Sequence, residues 1–323
     1  MTLPRVTVLL AEDEPDLPGL ESLEGLARIH QHRGVDGLAP RLAETDVLVV
    51  TDFRVDALER AWPSPCPIRW VHATSAGVDA LMIPPLRDSD IPVTNAAGIF
   101  DRGIAEYVLG ALLLFAKDTL GNLRYQRQRQ WRHRETHMLR DQSALVVGAG
   151  SIGREVATLL GALGMDVIGT ARRARQHNAA FARVHAQEDL PALLGDADYV
   201  IITAPLTRQT EGLFNTDTFA RMKPGAVLVN VGRGAIVDTR ALLTALDDGH
   251  LGGAALDVFE QEPLPADHPL WDYPNVMISA HMAGDAKGWR AALGHQFVDN
   301  FERWRRGQPL RNPVDTQRGY GQR

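Results

Sequence analysis

Three short segments of the chain combine residue types that could perform acid–base chemistry on a small anion. Val229-Asn-Val-Gly-Arg-Gly-Ala-Ile-Val-Asp238 sets Arg233 between two glycines. Leu256-Asp-Val-Phe-Glu-Gln-Glu-Pro263 carries Asp257, Glu260 and Glu262, and Ile278-Ser-Ala-His281 ends on a histidine. The planar guanidinium fork of an arginine grips a carboxylate bidentately. A histidine exchanges a hydroxyl proton near neutral pH, and a carboxylate behind it fixes its tautomer and favours the charged ring. Converging on a nicotinamide, these groups suit the interconversion of 2-oxo and 2-hydroxy acids.

A site for such a carrier is written in Gly148-Ala-Gly-Ser-Ile-Gly153, which follows the apolar run Ala144–Val147 directly and opens a helix over 152–163. In that context G-x-G-x-x-G is a dinucleotide fingerprint. Gly148 permits the tight turn, Gly150 lets the backbone approach a pyrophosphate, and Gly153 lets helix and strand pack closely. The N–H groups of Ser151 and Ile152 would then face phosphate oxygens. An NAD site places Asp or Glu about 20 residues further on, for the ribose 2′-hydroxyl. Here the next strand runs Val167-Ile-Gly-Thr-Ala171 into Arg172-Arg173-Ala174-Arg175. A tip with guanidinium groups and no carboxylate suits a 2′-phosphate, so NADP(H) is favoured over NAD(H).

The elements that must position these residues form two βα series. Val6–Leu10, Asp46–Val50, Ile68–Val71 and Ile91–Thr94 read as strands separated by helical patterns. Ile104, Val108, Ala111, Leu112 and Phe115 recur at helical spacing, and the Arg- and Gln-rich stretch Asn122–Arg140 reads as an exposed arm or subunit contact. Six further strands follow at 144–147, 166–168, 199–203, 226–230, 254–257 and 276–279. That alternation predicts an α/β chain with a doubly wound parallel sheet, and it puts all three chemistry-bearing segments at carboxyl ends of strands. A last helix is expected from Asp285 to Arg306, with Trp289, Leu293, Phe297, Phe301 and Trp304 on one face. The tail Thr316–Arg323 is polar and of low complexity.

Composition narrows the partners. The 323 residues suffice for about two domains. A net charge of −6 argues against a general nucleic-acid binder, because neutralising phosphates requires a basic face. The longest apolar stretch, Val108–Ala116, falls well short of a membrane span. The sequence opens on no charged and apolar leader, so a cytoplasmic protein is expected. One cysteine, Cys66, excludes an internal disulfide or a multi-cysteine zinc site and reads as a quiet core or loop thiol. Asp13, Glu14 and Asp16 read as a solvated loop, and His30 and His32 as surface residues.

With these motifs in place the sequence resembles the D-isomer-specific 2-hydroxyacid dehydrogenases, from Arg69-Trp70 and Ser75-Ala-Gly-Val-Asp79 to about Pro313. Asn230–Asp238, Leu256–Leu264, His268-Pro-Leu-Trp271 and Pro274-Asn275 carry the likeness, and the tip at Ala171–Arg173 is similar to that of the NADP-preferring glyoxylate/hydroxypyruvate reductases. The resemblance implies a Rossmann-type cofactor domain over 98–283 and a smaller flavodoxin-like domain built from 1–97 and 284–323, with the active site in the cleft between them. It implies that Arg233 binds and polarises a 2-oxo acid, that His281 is the acid/base and that Glu262, rather than Glu260, is its partner. Ala76 and Gly77 would offer N–H groups to the substrate carboxylate. Asp257 would orient the nicotinamide, and Thr203, Ala204, Pro205, Val231 and Gly232 would lie along the cofactor with Arg233 and His281. It further implies a homodimer through the cofactor domain, with the Asn122–Arg140 arm as the contact. Ala280 stands where the family usually has proline.

Other readings compete. Ala149-Gly-Ser-Ile-Gly153 is one residue from a nucleophile elbow, and Ser151, Asp257 and His281 occur in the order of an α/β-hydrolase triad. A hydrolase has no use for Arg233 or the basic tip. His133 and His137 are four apart but lack the flanking Glu of a zinc-protease helix, and no metal site is expected. An NAD-dependent enzyme of the phosphoglycerate dehydrogenase type and a dinucleotide-sensing corepressor-like protein are the remaining alternatives.

Overall fold

β1 (Arg5–Leu10) sends Val6, Val8 and Leu10 into one apolar core and Leu9 into another. A strand apolar on both faces belongs inside a parallel sheet. In a computed structural model of the chain, which describes residues 2–51, 56–175 and 180–321, β1 lies between β2 (Arg28–Arg33) and β3 (Val47–Val50). β4 (Trp70–Ala73) and β5 (Val93–Thr94) complete a five-stranded parallel sheet in the order β2-β1-β3-β4-β5. That order is the flavodoxin-like one.

The chain divides into two compact units, Met1–Phe100 with Ala286–Arg323 and Asp101–Asp285. In the first unit the helix Trp289–Arg305 lays Leu293, Phe297 and Phe301 on the core that holds Val6, Val8 and Trp70. Their four-residue spacing puts them on one face. Burying each phenylalanine contributes roughly 1.5–3 kcal/mol, and the Phe297 ring stacks 5.3 Å from that of Trp70.

Several expectations need correction here. The sequence pattern does not announce β2, because Arg28-Ile-His-Gln-His-Arg33 is an edge strand whose polar side chains meet solvent. His32 on it is half-buried rather than a surface residue. Glu14 is no freely solvated acid, since Arg290 Nη1 lies 2.7 Å from Oε1 and Thr51 donates to Oε2 at 2.6 Å. Val314–Asp315 and Tyr320–Gly321 pair antiparallel, so the polar tail contains a strand; its last two residues lie outside the described ones.

The second unit holds β6 (Ser143–Val147), β7 (Asp166–Ala171), β8 (Arg183–Ala186), β9 (Tyr199–Ile202), β10 (Val227–Asn230), β11 (Gly253–Leu256) and β12 (Val276–Ile278). They form one parallel sheet in the order β12-β11-β10-β9-β6-β7-β8. β8 is a seventh strand beyond the six expected and is again a polar edge. The strand order reverses between β6 and β9, the place where doubly wound sheets open a ligand crevice at their carboxyl ends. The stretch read as an arm begins as a helix, Thr119–Arg127, and continues without regular structure to 138.

Candidate active site

The crevice is built from glycines that bring backbone segments together. Gly148 follows β6 at φ +112°, and a Cβ there would stand 2.6 Å from the Ala204 nitrogen, past the end of β9. A Cβ on Gly153 would collide with the Gly148 carbonyl. Thr203 Oγ1 donates to that same carbonyl at 2.8 Å. The helix Ser151–Ala162 starts directly on this turn, so the N–H groups of Ser151 and Ile152 belong to its unpaired first turn, where phosphate is favoured. The turn fits a diphosphate group, since side chains at Gly148 and Gly153 would fill or break it. Beside it β7 ends at the half-buried Ala171, with Arg172 and Arg173 exposed beyond.

The glycines around Arg233 have a similar function. A Cβ on Gly232 would lie 2.9 Å from the Ala204 carbonyl, and one on Gly234 would overlap the Phe259–Glu260 peptide. Asn230, buried at the end of β10, accepts from Gly232 N–H at 3.1 Å and donates to the Arg233 carbonyl at 3.0 Å. Arg233 is thus carried half-buried on a closely backed turn, with Val231 N–H held 3.1 Å from the Ile202 carbonyl.

Glu262 and His281 meet. His281 Nδ1 lies 2.7 Å from Glu262 Oε2, and Phe259 N–H donates to Oε1 at 2.9 Å. Burial alone would raise the Glu262 carboxyl. The bonds from His281 and Phe259 and the charges of His281 and Arg233 outweigh it and hold the group below its ordinary value. Glu262 is therefore an anion at neutral pH, and Nδ1–H donates to it. Glu260 is exposed.

Asp257, 2% exposed, holds the backbone around this histidine. Its carboxylate accepts from Met282 and Ala283 N–H, each at 2.9 Å, and from Ser279 Oγ at 2.6 Å, while its carbonyl accepts His281 N–H at 2.8 Å. A triad of Ser151, Asp257 and His281 is not assembled, because His281 Nδ1 is turned to Glu262 and Asp257 to the loop. Sequence reasoning assigned nothing to Asn230 or Ser279. Both sit inside the quoted motifs, at strand ends, which is the only signal that marks them. Among the described residues no three His, Cys, Asp or Glu side chains are grouped to hold a metal ion.

In the first unit, Ala76 and Gly77 lie in a turn whose carbonyls are engaged by side chains. Asn95 Nδ2 donates to the Ala76 oxygen and Ser75 Oγ to the Gly77 oxygen, each at 2.6 Å. This fixes the orientation of the peptides they belong to.

The chain is similar to known proteins over most of its length. The family profile for the NAD binding domain of D-isomer specific 2-hydroxyacid dehydrogenases matches residues 109–283. The chain is 32% identical over 310 residues to glyoxylate/hydroxypyruvate reductase B of Pectobacterium carotovorum, covering 90% of this chain and 94% of that protein. It is 34% identical over 238 residues to (S)-sulfolactate dehydrogenase of Chromohalobacter salexigens, covering 73% and 77%. Its fold is similar to the crystal structure of a D-isomer specific 2-hydroxyacid dehydrogenase from Xanthobacter autotrophicus Py2 in complex with NADPH and MES. The TM-score is 0.85 at 30% identity, with 98% of this chain and 99% of that one covered.

Proposed function

The chain belongs to the D-isomer specific 2-hydroxyacid dehydrogenase family, and on that premise we propose that it interconverts a small 2-oxo acid, of the glyoxylate or hydroxypyruvate type, and its (R)-2-hydroxy acid with NADP(H). The observation that carries the reading is the 2.7 Å pair of His281 and Glu262 on the loops after β12 and β11, next to β10, whose following turn bears Arg233. The Gly148–Gly153 turn is the place for the dinucleotide diphosphate, and the bound dinucleotide supplies the hydride. Arg233 holds the substrate carboxylate in its fork and polarises the neighbouring carbonyl. His281 gives its Nε2 proton to the carbonyl oxygen in reduction and takes it back in oxidation. Glu262 stabilises the imidazolium and keeps Nδ1 protonated. Thr203 to Pro205 with Val231 and Gly232 line the cofactor.

Cofactor choice rests on the tip of β7, where Ala171 replaces an acid and Arg172 and Arg173 are exposed. A 2′-phosphate would gain charge-assisted bonds there, each worth roughly 1.5–3 kcal/mol. The test is a panel of 2-oxo acids with NADPH and with NADH, run on wild type and on Arg172→Ala/Arg173→Ala. NADPH should be preferred, and the double variant should raise the NADPH KM roughly tenfold or more while leaving the NADH KM nearly unchanged. A wild type that prefers NADH, or equal changes for both, contradicts the assignment.

A homodimer through the second unit is part of the same reading. Leu113, Leu123 and Met138 are exposed, and Trp131 is 100% exposed. Aromatic and methionine side chains gathered in one segment are typical of interface cores. Trp131→Asp should lower the mass measured by light scattering from two chains to one; an unchanged dimer places the contact elsewhere.

A further inference from the structure

The hydroxyls of Tyr107 and Ser279 lie 2.6 Å apart although 172 positions separate them in the chain. Ser279 Oγ is also 2.6 Å from Asp257 Oδ1. An ionised carboxylate only accepts, so the Ser279 proton points to Asp257. Ser279 then has only lone pairs for Tyr107, which must donate. Tyr107 is suited to this: burial raises its hydroxyl above the ordinary value, and the Asp257 charge raises it further against the opposing effect of the Ser279 bond. The order is Tyr107 to Ser279 to Asp257.

Asp257 in turn accepts from Met282 and Ala283 N–H with its carboxylate and from His281 N–H with its carbonyl. Three successive residues are thus tied to one buried aspartate, and Ser279 ties the near end of the same loop. His281 needs such support, because its φ of +52° lies in the left-handed region that side-chain-bearing residues rarely adopt. Residue 280 is an alanine, whose backbone is not restricted as a proline's would be. We propose that Tyr107 and Ser279 are positioning residues: by orienting the Asp257 carboxylate they fix the 279–283 loop, and so set His281 against Glu262. A buried anion that loses one of its donors turns toward those that remain. The Ser279 hydroxyl therefore matters more than that of Tyr107, which acts one step further away.

This inference rests on the proposed role of His281, so its experiment has one arm that is independent of turnover. Hydrogen exchange at the Met282 and Ala283 amides is measured by NMR in wild type, Ser279→Ala, Tyr107→Phe and Ser279→Thr, beside kcat and the NADPH KM. Ser279→Ala should speed exchange and lower kcat, each roughly tenfold, with the NADPH KM nearly unchanged. Tyr107→Phe should move both the same way but less, and Ser279→Thr, which keeps the hydroxyl, should restore both. Unchanged exchange in Ser279→Ala, faster exchange at wild-type kcat, or a Ser279→Thr no better than Ala each overturns the proposal. A wild type that consumes neither NADPH nor NADH with any 2-oxo acid overturns the proposed function instead, and the exchange rates then decide the relay.

Discussion

Two histidines, one in each unit, show how surroundings divide the use of one side chain. His281 is half-buried on a loop beyond β12, with its Nδ1 on the Glu262 carboxylate at 2.7 Å. His72 is wholly buried in β4, its Nδ1 2.8 Å from Thr94 Oγ1, which also accepts from Trp70 Nε1 at 2.9 Å. The Phe297 ring centre is 5.6 Å away, and His72 Nε2 has no hydrogen-bond partner among the described residues. With a hydroxyl and aromatic rings for neighbours, burial pushes His72 down to about 3. It stays neutral and serves as packing. His281 differs in having an anion in contact, and under the proposed function that contact, rather than the residue type, makes it the proton donor.

Exchanging each ring tests that contrast, and the largest effect should come from His281→Gln. Turnover should fall roughly 10²–10⁴-fold, the usual contribution of a general acid. The urea midpoint and NADPH binding should hardly move. A variant that keeps most of its turnover would mean that another group supplies the proton.

His72 should show the opposite behaviour, in stability. Its folded value lies below that of the unfolded chain, so unfolding takes up a proton as pH falls beneath about 6.5, and this uptake ends only near about 3. Stability is therefore full above that window and declines through it with falling pH, by roughly 1.4 kcal/mol per unit at most. His72→Leu should remove this part of the acid sensitivity while leaving kcat close to wild type. Urea midpoints between pH 7 and pH 4 in the two proteins would measure it, and parallel curves would contradict it.

A smaller change sharpens the His281 side. Gly234→Ala adds one methyl against the Phe259–Glu260 peptide, whose Phe259 N–H holds Glu262. Overpacking of this kind costs roughly 1–3 kcal/mol. It should lower kcat by disturbing the partner of His281 without touching the ring. Unaltered kcat and stability would show that the turn gives way freely.

Much of this was legible in the sequence, for identifiable reasons. Buried parallel strands such as β6, β9 and β10 are continuous apolar runs, and the glycine turn is a local pattern whose six residues are all contiguous. Arg233, Glu262 and His281 could be singled out as candidates because each lies in a recognisable motif a few residues past the end of a strand. β2 and β8 were not legible, since edge strands carry charge and lose the apolar signal. Nor was Tyr107, which reads as one more position on the helix Asp101–Ala116 and gains its meaning only from Ser279 across the fold. The need for glycine at 234 likewise depends on a peptide 25 residues away.

The central claim is that the Glu262 anion is the partner of His281 in proton transfer, and kcat/KM for 2-oxo acid reduction against pH tests it most directly. The Glu262 carboxyl is held below its ordinary value, so the anion persists through the neutral range. Reduction should fall as pH rises, because it consumes the protonated ring, while oxidation, which needs the neutral ring, rises. Glu262→Gln keeps the shape and removes the charge, so the alkaline limb of reduction should move to lower pH. An unmoved limb, or one that moves with Glu260→Gln instead, would contradict the account.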